Sequence, residues 1–164
     1  IHGKLLINHD ENNYPFYSGW RAAGIGVISL IILIAIVFAS IFLIPDEIYD
    51  TYDAEMEQFS ENEGASLIFY DHLNTEDDET LLNEIDSIAI PKWKENIEII
   101  NRTNSIEDLP SELVEQNKKL LRYSKLRLEA FKLFKNLIIH ETDNYNIELN
   151  RVHNEIDVVI ESLN

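Results

Sequence analysis

The chain has 164 residues, 30 acidic and 13 basic side chains, a formal net charge of -17 and no cysteine. That balance repels phosphate backbones and excludes nucleic acid as the expected partner, and the absence of thiols excludes disulfides, thiolate catalysis and cysteine-ligated metal. Five glycines and four prolines argue against a loop-rich or β-turn-rich fold.

The charge is uneven along the chain. Before Pro45 there are two acids, Asp10 and Glu11, and two bases, Lys4 and Arg21, so the part from Pro45 onward carries the whole -17. The chain opens Ile1-His-Gly-Lys, without an initiator methionine or a signal-peptide pattern, so a fragment of a longer protein is the expectation. Residues 1–21 read as a juxtamembrane segment. Tyr14, Phe16, Tyr17 and Trp20 gather at its end, where amphipathic rings suit the headgroup level.

Residues 22–44, AAGIGVISLIILIAIVFASIFLI, carry no charge, and only Ser29 and Ser40 interrupt the apolar run. As a helix they extend about 34 Å, enough to cross a hydrocarbon core of about 30 Å, so the prediction is one transmembrane helix. Lys4 and Arg21 precede the run and no further base occurs before Lys92. The excess of basic residues on cytoplasmic flanks then places the N-terminal flank in the cytoplasm and the acidic domain outside. Gly24 and Gly26 are two apart, so they do not form the four-spaced face of helix dimers.

From 45 to 164 the apolar spacing predicts an acidic, all-α domain, a soluble antiparallel bundle of about five helices. The first follows Pro45 to about Leu73, with Ile48, Tyr52, Met56 and Phe59 on one face and Gly64 as a candidate break. Thr75 reads as an N-cap for a second helix carrying Leu81, Leu82, Ile85, Ile88 and Ala89. Pro91 suits a first turn and predicts a third helix with Trp93, Ile97 and Ile100 inward. Pro110 opens the longest helix. Its two apolar stripes, one through Leu120, Phe131, Phe134 and Ile138 and one through Tyr123, Leu126, Ala130, Leu133 and Leu137, predict a central element touching two neighbours. The last helix places Tyr145, Leu149, Val152, Ile156, Val159 and Leu163 at alternating spacings of four and three, a seam expected to pack on the long helix.

No catalytic constellation appears. There is no G-x-S-x-G, no H-E-x-x-H, no phosphate-binding glycine loop and no alternating calcium loop in the acidic run Glu76 to Glu79. The histidines are His2, His9, His72, His140 and His153. His140 with Glu141 and His153 with Glu155 could meet at a metal only if the helices align them, and a solvent-exposed histidine beside an acid is the expectation there. The carboxylates read as lying on exposed faces. A glycosylation sequon stands at Asn101-Arg-Thr103. No catalytic, cofactor-binding or metal residue is therefore assigned.

One pattern resembles a known family. Ile90-Pro-Lys-Trp-Lys-Glu-Asn-Ile-Glu-Ile-Ile100, Leu109-Pro110, Asn117-Lys-Lys-Leu-Leu-Arg-Tyr123, Leu126-Arg127 and Glu141-Thr-Asp-Asn-Tyr145 together resemble the helical C-terminal extension of bacterial rhomboid-family intramembrane serine proteases. The resemblance covers about 45–164. It implies an upstream membrane-embedded protease core with a Ser–His dyad, whose residues do not occur in this chain, and a non-catalytic appendage that regulates the core or docks its membrane-protein substrates. It also implies a bacterial cytoplasmic membrane. Two further functions stay open: a free-standing single-pass anchor whose domain binds a protein, with Tyr49, Phe69 and Phe134 as candidate contact residues, and an oligomerisation module using the last helix. All three share the lipid bilayer as partner and need no cofactor.

Overall fold

The computed structural model describes residues 46–140 and 143–163, and the predicted span at 22–44 lies outside them, as does the juxtamembrane segment. Among the described residues the fold is all-helical, and no helix is long and apolar enough to cross a membrane.

Helix α1 covers Asp46–Leu67 and is followed at Ile68 by the short α2, Phe69–His72. Gly64 does not break α1. Its Cα faces open space, with nothing within 4 Å of an added Cβ, and the helix tolerates it. Helix α3, Asp78–Glu84, runs into a π-helical turn at Ile85–Ala89 and on into α4, Ile90–Thr103. Helix α5 is Ser111–His140, and after a 3-10 turn at Asp143–Tyr145 the chain ends in α6, Asn146–Leu163.

Pro91 was expected to separate two helices, and the structure corrects this. The rod is continuous from Asp78 to Thr103. A proline in a helix interior lacks its own N–H and crowds the carbonyl four residues back. The π-helical turn relieves both problems by widening the coil just before Pro91, and the Ile90 N–H reaches back to the Ile85 carbonyl. Four long rods replace the predicted five helices, among the described residues.

Side-chain pairings give the direction of each rod. Glu55 meets Arg102 while Asn62 meets Asn96, so α1 and α4 are antiparallel. Thr103 meets Asn117 while Asp86 meets Lys135, so the π–α4 rod and α5 are antiparallel. Arg122 meets Glu155 while His140 approaches Tyr145, so α5 and α6 are antiparallel. The topology is up-down-up-down with short connections. Helix α5 is the central element, as its two stripes predicted, and the α6 seam of Leu149, Val152, Ile156, Val159 and Leu163 is buried. Each such side chain contributes about 1.5–3 kcal/mol on leaving water.

Two local readings change. The N-cap of α3 is Asp77, whose carboxylate accepts the Thr80 N–H at 2.8 Å, while the Thr75 hydroxyl donates to the His72 carbonyl. The inward face of α4 is Trp93, Asn96, Ile99, Ile100 and Thr103, with Ile97 only half-buried. The polar Asn96 and Thr103 disguise that face in a pattern of apolar residues.

Candidate functional site

Two features of the bundle stand out: a charged cluster in the core and an uneven outer surface. The cluster begins on α1. Glu63 follows Phe59 by four residues, so it falls on the inward face, and it is 2 % exposed. Its carboxylate accepts a hydrogen bond from the Tyr123 hydroxyl of α5. The Tyr123 oxygen in turn accepts Arg127 Nε at 3.1 Å, and the guanidinium carbon sits 5.1 Å from the Tyr123 ring centre. Arg127 is 4 % exposed. These three groups form a chain of donors from guanidinium through phenol to carboxylate.

The electrostatics follow from burial. Desolvation raises the Glu63 pKa against the opposing pull of the Tyr123 hydrogen bond and Arg127. It raises the Tyr123 phenol well above its ordinary value, again against Arg127. Burial works against the Arg127 charge, but Tyr123, Tyr70 and Glu63 outweigh it and hold the guanidinium protonated. On α6, His153 stands edge-on to Tyr70 at 6.4 Å and to Phe134 at 6.0 Å, and shares Nδ1 with the Leu149 carbonyl at 2.8 Å. Burial pushes its pKa down to about 4, with Arg127 adding to the effect. The cluster ties α1, α2, α5 and α6 together.

A second set of buried polar groups runs from Asn62, next to Glu63, to Asn117 toward the other end. Asn117 of α5 accepts the Tyr52 hydroxyl at 2.9 Å and donates to Thr103 at 3.1 Å and to Asn104 at 2.9 Å. Asn62 donates to Asn96 at 3.0 Å, and Asn96 donates to the Phe59 carbonyl at 3.2 Å. Such fully partnered networks fix the register of helices that apolar packing alone leaves free to slide.

Several sequence readings are corrected here. The carboxylates are not all exposed, since Glu63 is in the core. Tyr49, Phe69 and Phe134, the candidate contact residues, are buried at 7 %, 2 % and 6 % exposure. Phe69 stacks edge-on between Phe131 and Phe134, at 5.3 Å from each. The α6 seam is consumed by its own bundle, so it is closed to a second copy. His153 faces the core rather than a metal, and no group of three or more potential ligands forms among the described residues. Thr103 of the sequon is fully buried and its hydroxyl donates to the Ile100 carbonyl, which withdraws that sequon from an enzyme acting on the folded domain.

The outer surface carries what is left. Among the described residues, Ile88 and Val158 are exposed along the rods at 40 % and 58 %, and Ile68, Ile139 and Ile147 are exposed at 52 %, 51 % and 84 %. The last three lie at one end of the bundle: Phe69 beside Ile68 touches Phe134, and His140 beside Ile139 lies 6.1 Å from the Tyr145 ring just before Ile147. The start of α1 is at the opposite end, where Tyr52 meets Asn117. Charge is also segregated. From Gln116 to His140 there are seven Lys or Arg residues and one acid, Glu129, whereas Asp46–Leu67 holds eight acids and no Lys or Arg. Counting charge by helix reveals this in the sequence, but the overall -17 masks it.

No family model matches this chain, and neither a curated protein nor a solved structure does.

Proposed function

We propose that the chain is a membrane-anchored docking module: residues 22–44 span a bilayer, and the acidic bundle presents its far end to a protein. The observation that carries the reading is the placement of three of the five exposed large aliphatic side chains of the described residues, Ile68, Ile139 and Ile147, at the end opposite Asp46. The apolar run ends at Ile44, one residue before Pro45, so a span there sits at the Asp46 end of the bundle. Exposed aliphatic side chains at the opposite end then face away from the membrane, where a partner reaches them. The buried clusters supply rigidity, which reduces the entropy lost when such a surface is covered.

The residues that resemble rhomboid extensions favour a more specific version. In it the module is the non-catalytic appendage of a rhomboid-like serine protease in a bacterial cytoplasmic membrane. It lies on the extracytoplasmic side and docks membrane-protein substrates or regulates the core. The experiment is site-specific photo-cross-linking in native membranes with a benzophenone amino acid at Ile147 and, separately, at Asn101 on the side of the bundle. A discrete adduct from position 147 and none from 101 supports docking at the far end. Equal labelling from both, or none from either, overturns it.

A further inference from the structure

Two helix faces of opposite charge point away from each other across the bundle. On α5, the exposed Lys118, Arg122, Lys125 and Lys132 fall at spacings of four, three and seven, which makes one stripe. Two α5 residues that meet α1, Asn117 and Tyr123, lie on either side of the opposite face, about 95° and about 145° round the helix from the centre of that stripe at about 100° per residue. On α1, the exposed Glu47, Asp50, Glu57 and Glu61 fall at three, seven and four, opposite the buried Tyr52, Phe59 and Glu63. Each stripe extends about 21 Å.

Lys125 and Lys132 have no ion-pair partner among the described residues. Lys118 and Arg122 hold exposed partners, Glu115 and Glu155, and such pairs contribute little. Within one chain the two stripes cannot meet. We propose that they meet between copies, the basic stripe of α5 on one molecule docking on the acidic stripe of α1 on the next. With the helices antiparallel, one register sets Lys132 against Glu47, Arg122 against Glu57 and Lys118 against Glu61, with Lys125 between Asp50 and Glu57. The contact is heterologous, so it builds rings or open rows rather than a closed two-fold dimer. It does not depend on the membrane reading, although tethering in one bilayer would raise the local concentration.

Salt sets the conditions. Two copies at -17 repel over distance, and about 0.1 M salt screens that repulsion to about 10 Å while leaving close pairs attractive. The test is sedimentation velocity on the full chain in a neutral detergent. Wild type is expected to form concentration-dependent oligomers at about 0.1 M salt that dissociate at about 1 M. The Lys125→Glu/Lys132→Glu variant is expected to associate about tenfold more weakly, and Glu57→Lys/Glu61→Lys likewise. Mixing the two variants restores 1:1 pairing only, the intact acidic stripe of the lysine variant on the intact basic stripe of the glutamate variant, because the two altered stripes set like charges opposite each other. Wild type that stays monomeric throughout overturns the proposal, as do variants that associate like wild type. So does a lysine effect that appears only when phosphatidylglycerol is added, since the stripe would then read a lipid surface.

Discussion

Replacing Arg127 with methionine keeps most of the side-chain volume and removes the charge that faces Glu63. Arg127 and Glu63 are both nearly fully buried, so the loss leaves a carboxylate without its counter-charge, at a cost of about 3 kcal/mol near pH 8. The cost depends on pH, with a sign that can be derived. The Glu63 pKa is raised in the fold, so its contribution to stability is fully present below the ordinary value of 4.5 and is lost as pH rises through the folded value. Arg127 lowers that folded value, so removing it lengthens the range over which stability is lost, by about 1.4 kcal/mol per pH unit. The gap between wild type and Arg127→Met is therefore expected to be smallest near pH 4.5 and to widen to about 3 kcal/mol at pH 8. Adding Glu63→Gln removes the second charge while the amide oxygen still accepts from Tyr123. The double variant is expected to recover about 2 kcal/mol, a coupling of ordinary size for contacting residues. Urea unfolding followed by circular dichroism at both pH values measures all four proteins. A pH-independent gap, or additive single variants, would refute the view that these charges act as a pair.

Three further outcomes follow from the same packing. His153 is depressed to about 4, so its neutral form stabilises the fold above pH 6.5 and that stability is lost on acidification toward pH 4; about 3 kcal/mol should disappear there, and a His153→Leu variant should lose this dependence in parallel titrations. Asn117→Ala strands the Tyr52, Thr103 and Asn104 groups and is expected to cost about 2–4 kcal/mol, seen as a drop in Tm, whereas a loss under 1 kcal/mol would mean the network is not holding the helices. Asp77→Ala removes the cap of α3 and should cost about 1 kcal/mol, while Thr75→Ala should be nearly silent, reversing the order that the sequence pattern suggests.

Much of the helical layout was legible in the sequence because it rests on apolar spacing. The α6 seam and the double-striped α5 declare themselves through aliphatic residues at threes and fours. Pro91 misled because a proline signals a helix start unless a π-helical turn absorbs it, and nothing local in Ile85–Ala89 announces that turn. Glu63 and Arg127 escaped notice for a physical reason: a charged residue is read as exposed until a partner on another helix is placed beside it, and that partner is 60 or more residues away. Tyr49, Phe69 and Phe134 stand out in the sequence as candidate contacts because large apolar residues need not all fit inside a small bundle, and the packing of Phe69 between Phe131 and Phe134 shows how two of them do. The basic stripe of α5 was readable from charge alone, helix by helix.

The proposal that matters most is the tether through residues 22–44. The direct measurement is alkaline carbonate extraction of membranes bearing the full chain, wild type beside Ile32→Lys/Ile36→Lys. Each lysine at the centre of a span costs about 2.5–3.5 kcal/mol on insertion. Wild type is expected to stay in the membrane pellet while the double-lysine variant moves to the supernatant. Wild type released at high pH, or a variant retained as firmly as wild type, would contradict the tether and leave the acidic bundle without its anchor.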